Sequence, residues 1–342
     1  MKLSIPPSLL SVLDGHAAPR PPIWFMRQAG RSLPEYWALR ERAGDFIAFC
    51  HNPELAAEAT LQPIRRFDFD AAILFADILL LPRALGQEVW FETGEGPRLG
   101  ALPEIAALDD QVAASTGQLA SIGETVRRVR AGLSPDKALI GFAGGPWTVA
   151  TYMIEGRGSD RVRARSMIFA EPERLDRLID ILIRATAAYL AMQARAGAQV
   201  LMLFESWAEL LAEDVFDRLV TAPHARIVAH LRAEGIAAPV IGFPRGAGAL
   251  VEIYAQRAGV QGVGLDVQAP AALGKRLQQH VAIQGALDPL LLRAGGAGLD
   301  ERVQALLDQW SDGPYVFNLG HGVLPDTPIA HIEQVVRRVK TS

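Results

Sequence analysis

Two arginines, Arg27 and Arg31, lie four residues apart, directly after the apolar run Pro22 to Phe25. A guanidinium group stays charged under ordinary conditions, and its fixed fork of donors matches the two oxygens of a carboxylate. Gly30, between the two arginines, allows the backbone to turn or to approach a ligand closely. The pair therefore predicts an anion-binding loop. One surface arginine and one arginine in a structural ion pair is the alternative interpretation.

A carboxylate inside an apolar stretch is the second candidate. Asp77 interrupts the run Ala71 to Leu81, in which every other residue is apolar. Burial of an unpartnered carboxylate is costly or raises its pKa. The side chain either caps a helix or pairs with a structural arginine, or it is held ready for a cationic or N–H-rich ligand. The sequence leaves these interpretations open.

Three further polar side chains follow apolar runs. The segment Gly141 to Thr148 is predicted to end a strand, turn and begin a helix that carries Tyr152. Phe204 and Ser206 end another run, where a serine is often a helix N-cap. His321, between two glycines, could move a proton near neutral pH or donate a hydrogen bond to a carboxylate. The alternatives are a packed tyrosine, a capping serine and a solvated histidine.

The elements that must position these residues are short apolar runs separated by helix-like segments. Continuous apolar runs are typical of strands buried on both faces of a parallel sheet. A helix is predicted over Glu171 to Ala196, where apolar residues recur at helical spacing. The eight strand-like runs are Ile23–Met26, Ala71–Ala76, Ala138–Ala143, Val200–Phe204, Val240–Phe243, Val263–Leu265, Val281–Gln284 and Tyr315–Leu319.

Eight strands alternating with helices predict an α/β fold, a (β/α)8 TIM barrel forming a single domain over residues 1–342. An open, doubly wound sheet is the alternative, which the strand count and the lack of a Gly-rich fingerprint after any strand disfavour. Residues 88–99 predict an inserted hairpin that turns at Gly94-Glu95-Gly96.

Barrel active sites lie at the carboxyl ends of the strands. In this chain nearly every predicted strand ends in a polar group, which predicts a polar site on a packed scaffold. The residues at these ends include Arg27, Arg31, Asp77, Glu205, Ser206, Arg245, Asp266, Asp288 and His321.

Composition and missing motifs narrow the chemistry. The 342 residues carry a net charge of −4 and a single cysteine, Cys50, which argues against a generic nucleic-acid binder and an internal disulfide. The N-terminus is a poor signal peptide and the longest apolar run is too short to span a bilayer, so a cytoplasmic protein is expected. A Walker loop, an HExxH motif and a lysine at a strand end are all missing. What remains suits binding of a polyanionic small molecule and proton movement without a cofactor.

These motifs, in this order, resemble the uroporphyrinogen decarboxylase family over nearly the whole chain. The resemblance is carried by WFMRQAGR at Trp24–Arg31 with LPEY after it, Asn52–Glu58, Phe75–Leu79, Gly141–Thr148, Tyr152–Gly156, Phe204–Ser206 and Asn318–Gly322. It implies a (β/α)8 barrel, usually a homodimer, that needs no metal or organic cofactor. The implied reaction removes four acetate carboxyl groups from uroporphyrinogen III and gives coproporphyrinogen III.

The resemblance also implies roles for individual residues. Arg27 and Arg31 would bind substrate carboxylates, and Arg27 is in addition a candidate proton donor, with His321 or a bound water as rivals. Asp77 would accept hydrogen bonds from the pyrrole N–H groups and stabilise the cation that forms when a pyrrole carbon is protonated. The remaining residues, which would contact carboxylates, position the macrocycle or line the cleft, are Tyr152, Phe204, Ser206 and His321.

Two other functions are considered. One is a related barrel methyltransferase that uses zinc and a corrinoid, which the single cysteine disfavours. The other is a non-catalytic tetrapyrrole-binding protein, which the joint presence of the arginine pair, Asp77, Tyr152 and His321 disfavours.

Overall fold

A parallel β-sheet forms the centre of the fold in a computed structural model, which describes residues 7–92 and 94–342. Seven strands pair in the order β1-β4-β5-β6-β7-β8-β9, each parallel to its neighbour, and β2 and β3 form a separate antiparallel hairpin. The strands are β1 (Ala71–Ile73), β2 (Val89–Glu92), β3 (Gly96–Leu99), β4 (Ala138–Gly144), β5 (Val200–Glu205), β6 (Val240–Pro244), β7 (Gly262–Gly264), β8 (Ala282–Leu287) and β9 (Tyr315–Leu319).

Helices connect the parallel strands, because consecutive parallel strands need a crossover. The α-helices are α1 (Ser8–Leu13), α2 (Pro34–Ala43), α3 (Phe46–His51), α4 (Pro53–Phe67), α5 (Leu80–Ala84), α6 (Ile105–Gln118), α7 (Ala120–Gly132), α8 (Pro146–Glu155), α9 (Val162–Ala170), α10 (Pro172–Ala196), α11 (Glu213–Phe216), α12 (Ala222–Ala233), α13 (Val251–Arg257), α14 (Ala271–Leu277), α15 (Pro289–Ala294), α16 (Ala297–Trp310) and α17 (Ile329–Lys340). A π-helical turn spans Asp217–Thr221 and a 3-10 turn spans Gly248–Leu250.

Burial of the strands explains why continuous apolar runs predicted them. Every residue of β4, β8 and β9 is buried, so both faces of these strands are covered. Seven of the eight apolar runs form strands of the sheet, and the hairpin at β2 and β3 lies within the predicted residues 88–99. The predicted helix over Glu171 to Ala196 is α10. Among the described residues, no helix is both long and apolar enough to cross a membrane.

The prediction of a regular strand at Ile23–Met26 is wrong. Only Ile23 forms a bridge, parallel to Phe317 in β9. Pro21 and Pro22 precede it and have no N–H group to donate to a ladder. Farther along, the N–H groups of Phe25 and Met26 donate to side chains instead of to a strand, at 3.0 and 3.1 Å.

This irregular segment nevertheless contacts both edges of the sheet. On one side, Phe317 N donates to the carbonyl of Pro22 at 2.9 Å. On the other side, the N–H of Asp70, the residue before β1, donates to the carbonyl of Ile23 at 2.9 Å. The two outer strands, β1 and β9, therefore meet the same short stretch of chain.

The carboxylate of Asp70 holds this junction. It accepts the N–H of Ile23 at 2.8 Å and both terminal nitrogens of Arg20 at 2.8 Å. Asp70 is 8% exposed, so these charge-assisted bonds form largely out of water. The segment that leads to Arg27 is thus fixed to β1 by a side chain in place of a full ladder.

We expect Asp70→Asn to lower the free energy of unfolding by about 2 kcal/mol, because the amide cannot accept from Arg20 with two oxygens. Urea unfolding of the two proteins measures the difference. The control is Asp110→Asn, which removes an exposed aspartate on α6. Equal unfolding midpoints for the two variants would show that Asp70 does not hold the junction.

Candidate active site

All of the candidate side chains lie near the carboxyl edge of the parallel sheet. Because the strands are parallel, the residues that follow them emerge at one edge. The loop after the Ile23 segment carries Arg27 and Arg31, and the turn between β1 and α5 carries Asp77. Tyr152 lies in α8, Phe204 is the penultimate residue of β5 with Ser206 just after the strand, and His321 follows β9.

Arg27 occupies a constrained position. Its backbone has a φ of +60°, in the left-handed region that residues other than glycine rarely adopt. A Cβ on Gly322, beside His321, would lie 2.7 Å from Cγ of Arg27, so only glycine leaves room for this side chain. Although Arg27 remains accessible to solvent, burial lowers its pKa. Asp77 and Tyr152 oppose that shift, and the charges of Arg31 and Arg245 add to it.

Asp77 neither caps α5 nor forms an ion pair within the described residues. Its Oδ1 accepts the N–H of Leu79 at 2.8 Å, which fixes the turn before α5. Its Oδ2 accepts no hydrogen bond from the part of the chain that the structure describes. Burial raises the pKa of Asp77, whereas the Leu79 N–H and the charge of Arg27 lower it. One oxygen is structural and the other is available to a ligand.

Tyr152 faces the same charges. Burial and Asp77 raise its pKa to about 12, and Arg27 opposes the shift. The phenol is therefore a neutral hydrogen-bond donor at ordinary pH. Its ring lies on Trp207, with 4.1 Å between the ring centroids, and the carbonyl of Trp207 accepts from Trp147 Nε1 at 3.0 Å. Trp207 was not among the residues that the sequence singled out, since no strand-end or spacing signal marks it.

The imidazole of His321 is neutral at pH 7. Burial, together with the charges of Arg27 and Arg245, lowers its pKa to about 4. A neutral ring has one donor and one acceptor nitrogen. At neutral pH it can hydrogen-bond a ligand, but it carries no imidazolium proton to give away.

Phe204 and Ser206 lie at the end of β5. The Phe204 ring packs edge-on against Phe142 of β4, with 5.5 Å between centroids, and it is only partly buried. Ser206 is not a helix N-cap, because the next helix, α11, begins at Glu213. Within the described residues, the hydroxyl group of Ser206 forms no hydrogen bond.

Several other polar groups at strand ends have structural roles. Glu205 is fully buried and accepts the N–H groups of Trp147 and Thr148, at 3.3 and 2.5 Å, so it fixes the start of the helix that carries Tyr152. Asp288 caps α15 by accepting the N–H of Leu290 at 2.8 Å. Asp266 accepts two backbone N–H groups.

Arg245 belongs with the site residues, although the sequence marked it only as a polar residue at a strand end. It directly follows β6, and its charge affects the pKa of both Arg27 and His321. Within the described residues, none of Arg27, Arg31 and Arg245 has a carboxylate oxygen within 4.0 Å of a side-chain nitrogen. A groove of about 790 Å³ between α6 and α10 differs in this respect, because its Arg184 is paired with Asp109 and Asp180.

The described residues contain no group of three or more His, Cys, Asp or Glu placed to hold a metal ion. Cys50 is buried in α3, where burial raises the pKa of its thiol. The cleft thus offers unpaired cations, a half-free carboxylate, a neutral phenol and a neutral imidazole. Such a set is chemically complementary to a polyanionic molecule that also has N–H groups to donate.

Comparison with known proteins identifies the family. Residues 6–342 match the sequence model described as "Uroporphyrinogen decarboxylase (URO-D)". Proteins named uroporphyrinogen decarboxylase from Phenylobacterium zucineum and Caulobacter vibrioides are 68% and 62% identical to this chain. The alignments cover 98% and 97% of the chain and 97% and 95% of the relatives. The chain belongs to the uroporphyrinogen decarboxylase family.

Solved structures support the architecture. A methyltransferase from Methanosarcina mazei superposes with a TM-score of 0.76 at 20% identity, over 97% of both chains. A putative vitamin-B12-independent methionine synthase from Listeria monocytogenes gives 0.55 at 10% identity, over 98% of both chains. At these identities the likeness concerns the fold alone.

We expect Gly322→Ala to displace Arg27 while the fold persists, because the added methyl group meets mainly the flexible arginine side chain. Unfolding free energy should stay within about 1 kcal/mol of the parent, and a crystal structure should show a moved guanidinium group. Gly298→Ala, in α16 with no atom within 4 Å of the new Cβ, is the control. An unmoved Arg27 would contradict this account of the packing.

His321 should titrate near pH 4, which NMR of ring-labelled histidine can measure, with His321→Gln to assign its signal among the seven histidines. Because the unfolded pKa is about 6.5, the unfolded chain binds more protons between these values. The contribution of His321 to stability is therefore complete above pH 6.5 and is lost as the pH falls toward 4. A midpoint near 6.5 in the folded protein would refute the burial effect.

Proposed function

We propose that this chain is a uroporphyrinogen decarboxylase. It removes the four acetate carboxyl groups of uroporphyrinogen III and gives coproporphyrinogen III, with no metal or organic cofactor. One observation carries the proposal. Arginines without a carboxylate partner occur in one cleft with the half-free carboxylate of Asp77, in a chain of this family. The substrate presents carboxylates on its rim and pyrrole N–H groups at its centre, which are the complements of these two features.

The chemistry balances with one proton taken up for each CO2 released. A proton added to a pyrrole carbon makes the ring a cation that can accept an electron pair. The bond between the acetate methylene and its carboxylate then breaks, CO2 leaves, and the ring is neutral with an exocyclic methylene. A second proton converts that methylene to a methyl group, and loss of the ring-carbon proton restores the pyrrole.

Asp77 supports this reaction electrostatically. Its free Oδ2 is the acceptor for the pyrrole N–H groups, and Oδ1 is fixed by Leu79. A carboxylate held in place stabilises the cation without having to reorganise as the cation forms. Burial raises the pKa of Asp77 in the free protein. In the complex the pyrrole cation favours the ionised carboxylate, because a nearby opposite charge lowers the pKa of an acid.

Arg27 is the proton donor in this proposal. A free guanidinium group has far too high a pKa to give up a proton readily, but burial and two neighbouring arginines lower the pKa of Arg27. His321, its rival, is neutral at pH 7 because its pKa is about 4. A water molecule positioned by Arg27 would deliver the proton to the same place.

The remaining side chains bind and orient the macrocycle. Arg31 pairs with a rim carboxylate, and Tyr152 and His321 donate hydrogen bonds from neutral groups. Ser206 donates to a further carboxylate, and Phe204 supplies an apolar wall for the pyrrole rings. The ring of Tyr152 packs on Trp207, which limits the positions that its hydroxyl can take.

The fold is proposed to be a complete (β/α)8 barrel in one domain, with the Ile23 segment as its eighth member. The hydrogen bonds from this segment to both β9 and the start of β1 support closure. By the family resemblance, a cytoplasmic homodimer is proposed. Exposed apolar side chains after β5 and β7, Leu210 and Val267, are suited to such an interface.

A methyltransferase function is not favoured. The Methanosarcina protein is 20% identical to this chain, so its similar fold does not imply a shared activity. The one thiol in the chain is buried in α3. Among the described residues it belongs to no group of side chains that could hold zinc.

The test is anaerobic incubation of the purified protein with uroporphyrinogen III, with products separated by their number of carboxyl groups. Products with seven to four carboxyls are expected. Asp77→Asn should reduce kcat/KM by about 10²- to 10³-fold, because the amide cannot stabilise the pyrrole cation. Asp110→Asn is the control for loss of an aspartate. A folded parent protein that releases no CO2 would refute the function, and near-normal turnover by Asp77→Asn would refute the role of that residue.

A further inference from the structure

The end of β6 places an arginine beside the end of β5. Glu205 is opposite Pro244 in the register of the two strands, so Ser206 and Arg245 are the next residues along each. The backbone N–H of Arg245 donates to the carbonyls of Glu205 and Phe243, both at 3.0 Å. The position of the Arg245 backbone is thus tied to a strand end and is not that of a free loop.

The guanidinium group of Arg245 is largely unused by the protein. Its single hydrogen bond in the described structure is a long one, from Nη1 to the carbonyl of Ser206 at 3.5 Å. The hydroxyl of Ser206 has no partner among the described residues. The guanidinium group therefore lies beside the backbone of Ser206 at the carboxyl edge of the sheet.

Carboxylates in the neighbouring loops form no ion pair with Arg245 within the described residues. Asp266 accepts the N–H groups of Gly246 and Gln268, at 2.8 and 2.9 Å. Glu209 is paired with Arg161, which also lies over the ring of Trp207 at 5.6 Å. The fold supplies no carboxylate partner for Arg245 within the residues described, although it provides one for its neighbour Arg161.

The charge of Arg245 reaches the centre of the cleft. It acts on both Arg27 and His321, where it lowers the pKa values. Like charges close to Arg27 repel it, and an anion is the partner that relieves this repulsion. An apolar or neutral ligand would gain nothing from this arrangement.

We propose that Arg245 is a third substrate-binding arginine, which forms with the Ser206 hydroxyl a carboxylate subsite separate from the Arg27–Arg31 loop. The subsite binds a rim carboxylate of the tetrapyrrole, and in this identification of its ligand the proposal rests on the proposed function. Two cationic subsites on different strand ends hold a flat, many-armed macrocycle at two points. They therefore determine which pyrrole lies over Asp77, which one subsite alone cannot do.

Steady-state kinetics with uroporphyrinogen III tests this assignment in Arg245→Gln, Arg245→Lys and a control, Arg337→Gln. Arg337 is an exposed arginine on α17, whose last turn is at the opposite edge of the sheet, where Lys340 pairs with Asp68 before β1. Arg245→Gln should raise KM by about tenfold or more relative to the control, with a smaller change in kcat. Arg245→Lys keeps the charge without the fork and should fall between them. The KM ratio should shrink as salt is added.

A double-mutant cycle with Ser206→Ala tests whether the two side chains share one carboxylate. Coupling is expected, with the double variant less impaired than the product of the two single effects. Independent effects would overturn the shared subsite. Equal KM values for Arg245→Gln and Arg337→Gln would overturn the role of Arg245, as would loss of activity in both Arg245 variants together with a lowered melting temperature, which would indicate a structural role.

Binding of uroporphyrin, the oxidised octacarboxylate, separates this proposal from the proposed function. Fluorescence titration of the macrocycle needs no turnover. If the parent protein binds uroporphyrin but releases no CO2, the function fails, and weaker binding by Arg245→Gln than by Arg337→Gln still supports the subsite. Equal binding by these two variants overturns the subsite, whether or not the parent protein is active.

Discussion

The cleft depends on one constraint, which is electrostatic repulsion between guanidinium groups. In the part of the chain that the structure describes, the protein does not neutralise these groups with its own carboxylates. Arg31 and Arg245 lie close enough to lower the pKa of Arg27, and within the described residues none of the three has a carboxylate partner within 4.0 Å. Such an arrangement costs folding stability and persists only where the scaffold holds each group in place. Because the chain as a whole is acidic, with a net charge of −4, the polyanion binding that we propose depends on this local concentration of positive charge.

The scaffold holds these groups with buried polar side chains where it lacks backbone pairing. Gln284 accepts from the indole of Trp24 at 3.0 Å, and Asn318 accepts the N–H of Met26 at 3.1 Å, so β8 and β9 fix the residues just before Arg27. Gln28 links the same loop to the carbonyl of Ala71 in β1 at 3.0 Å. Buried hydrogen bonds of this kind are directional, and they set the loop more narrowly than apolar packing would.

The same contacts explain what the sequence could and could not predict. Strands such as β4 and β9 were readable because burial on both faces leaves a continuous apolar run. The Ile23 segment has the same apolar composition, but the N–H groups of Ile23 and Met26 donate to the side chains of Asp70 and Asn318, which are distant in sequence, and no local pattern reveals these contacts. Asp77 and His321 were visible from their neighbours alone. The role of Arg245 depends on the register of β5 with β6, and that of Trp207 on contact with Tyr152, so both needed the tertiary structure.

In the proposed reaction, one electrostatic feature serves both binding and proton transfer. The arginines that attract the carboxylates also lower the pKa of Arg27, and together with burial they keep His321 neutral at pH 7. Arg27 is also close enough to Asp77 for that carboxylate to act on its pKa, and Asp77 is the group proposed to stabilise the product of protonation. When substrate carboxylates neutralise Arg31 and Arg245, their effect on Arg27 weakens, so the proton is most easily given up while those arginines are not fully compensated.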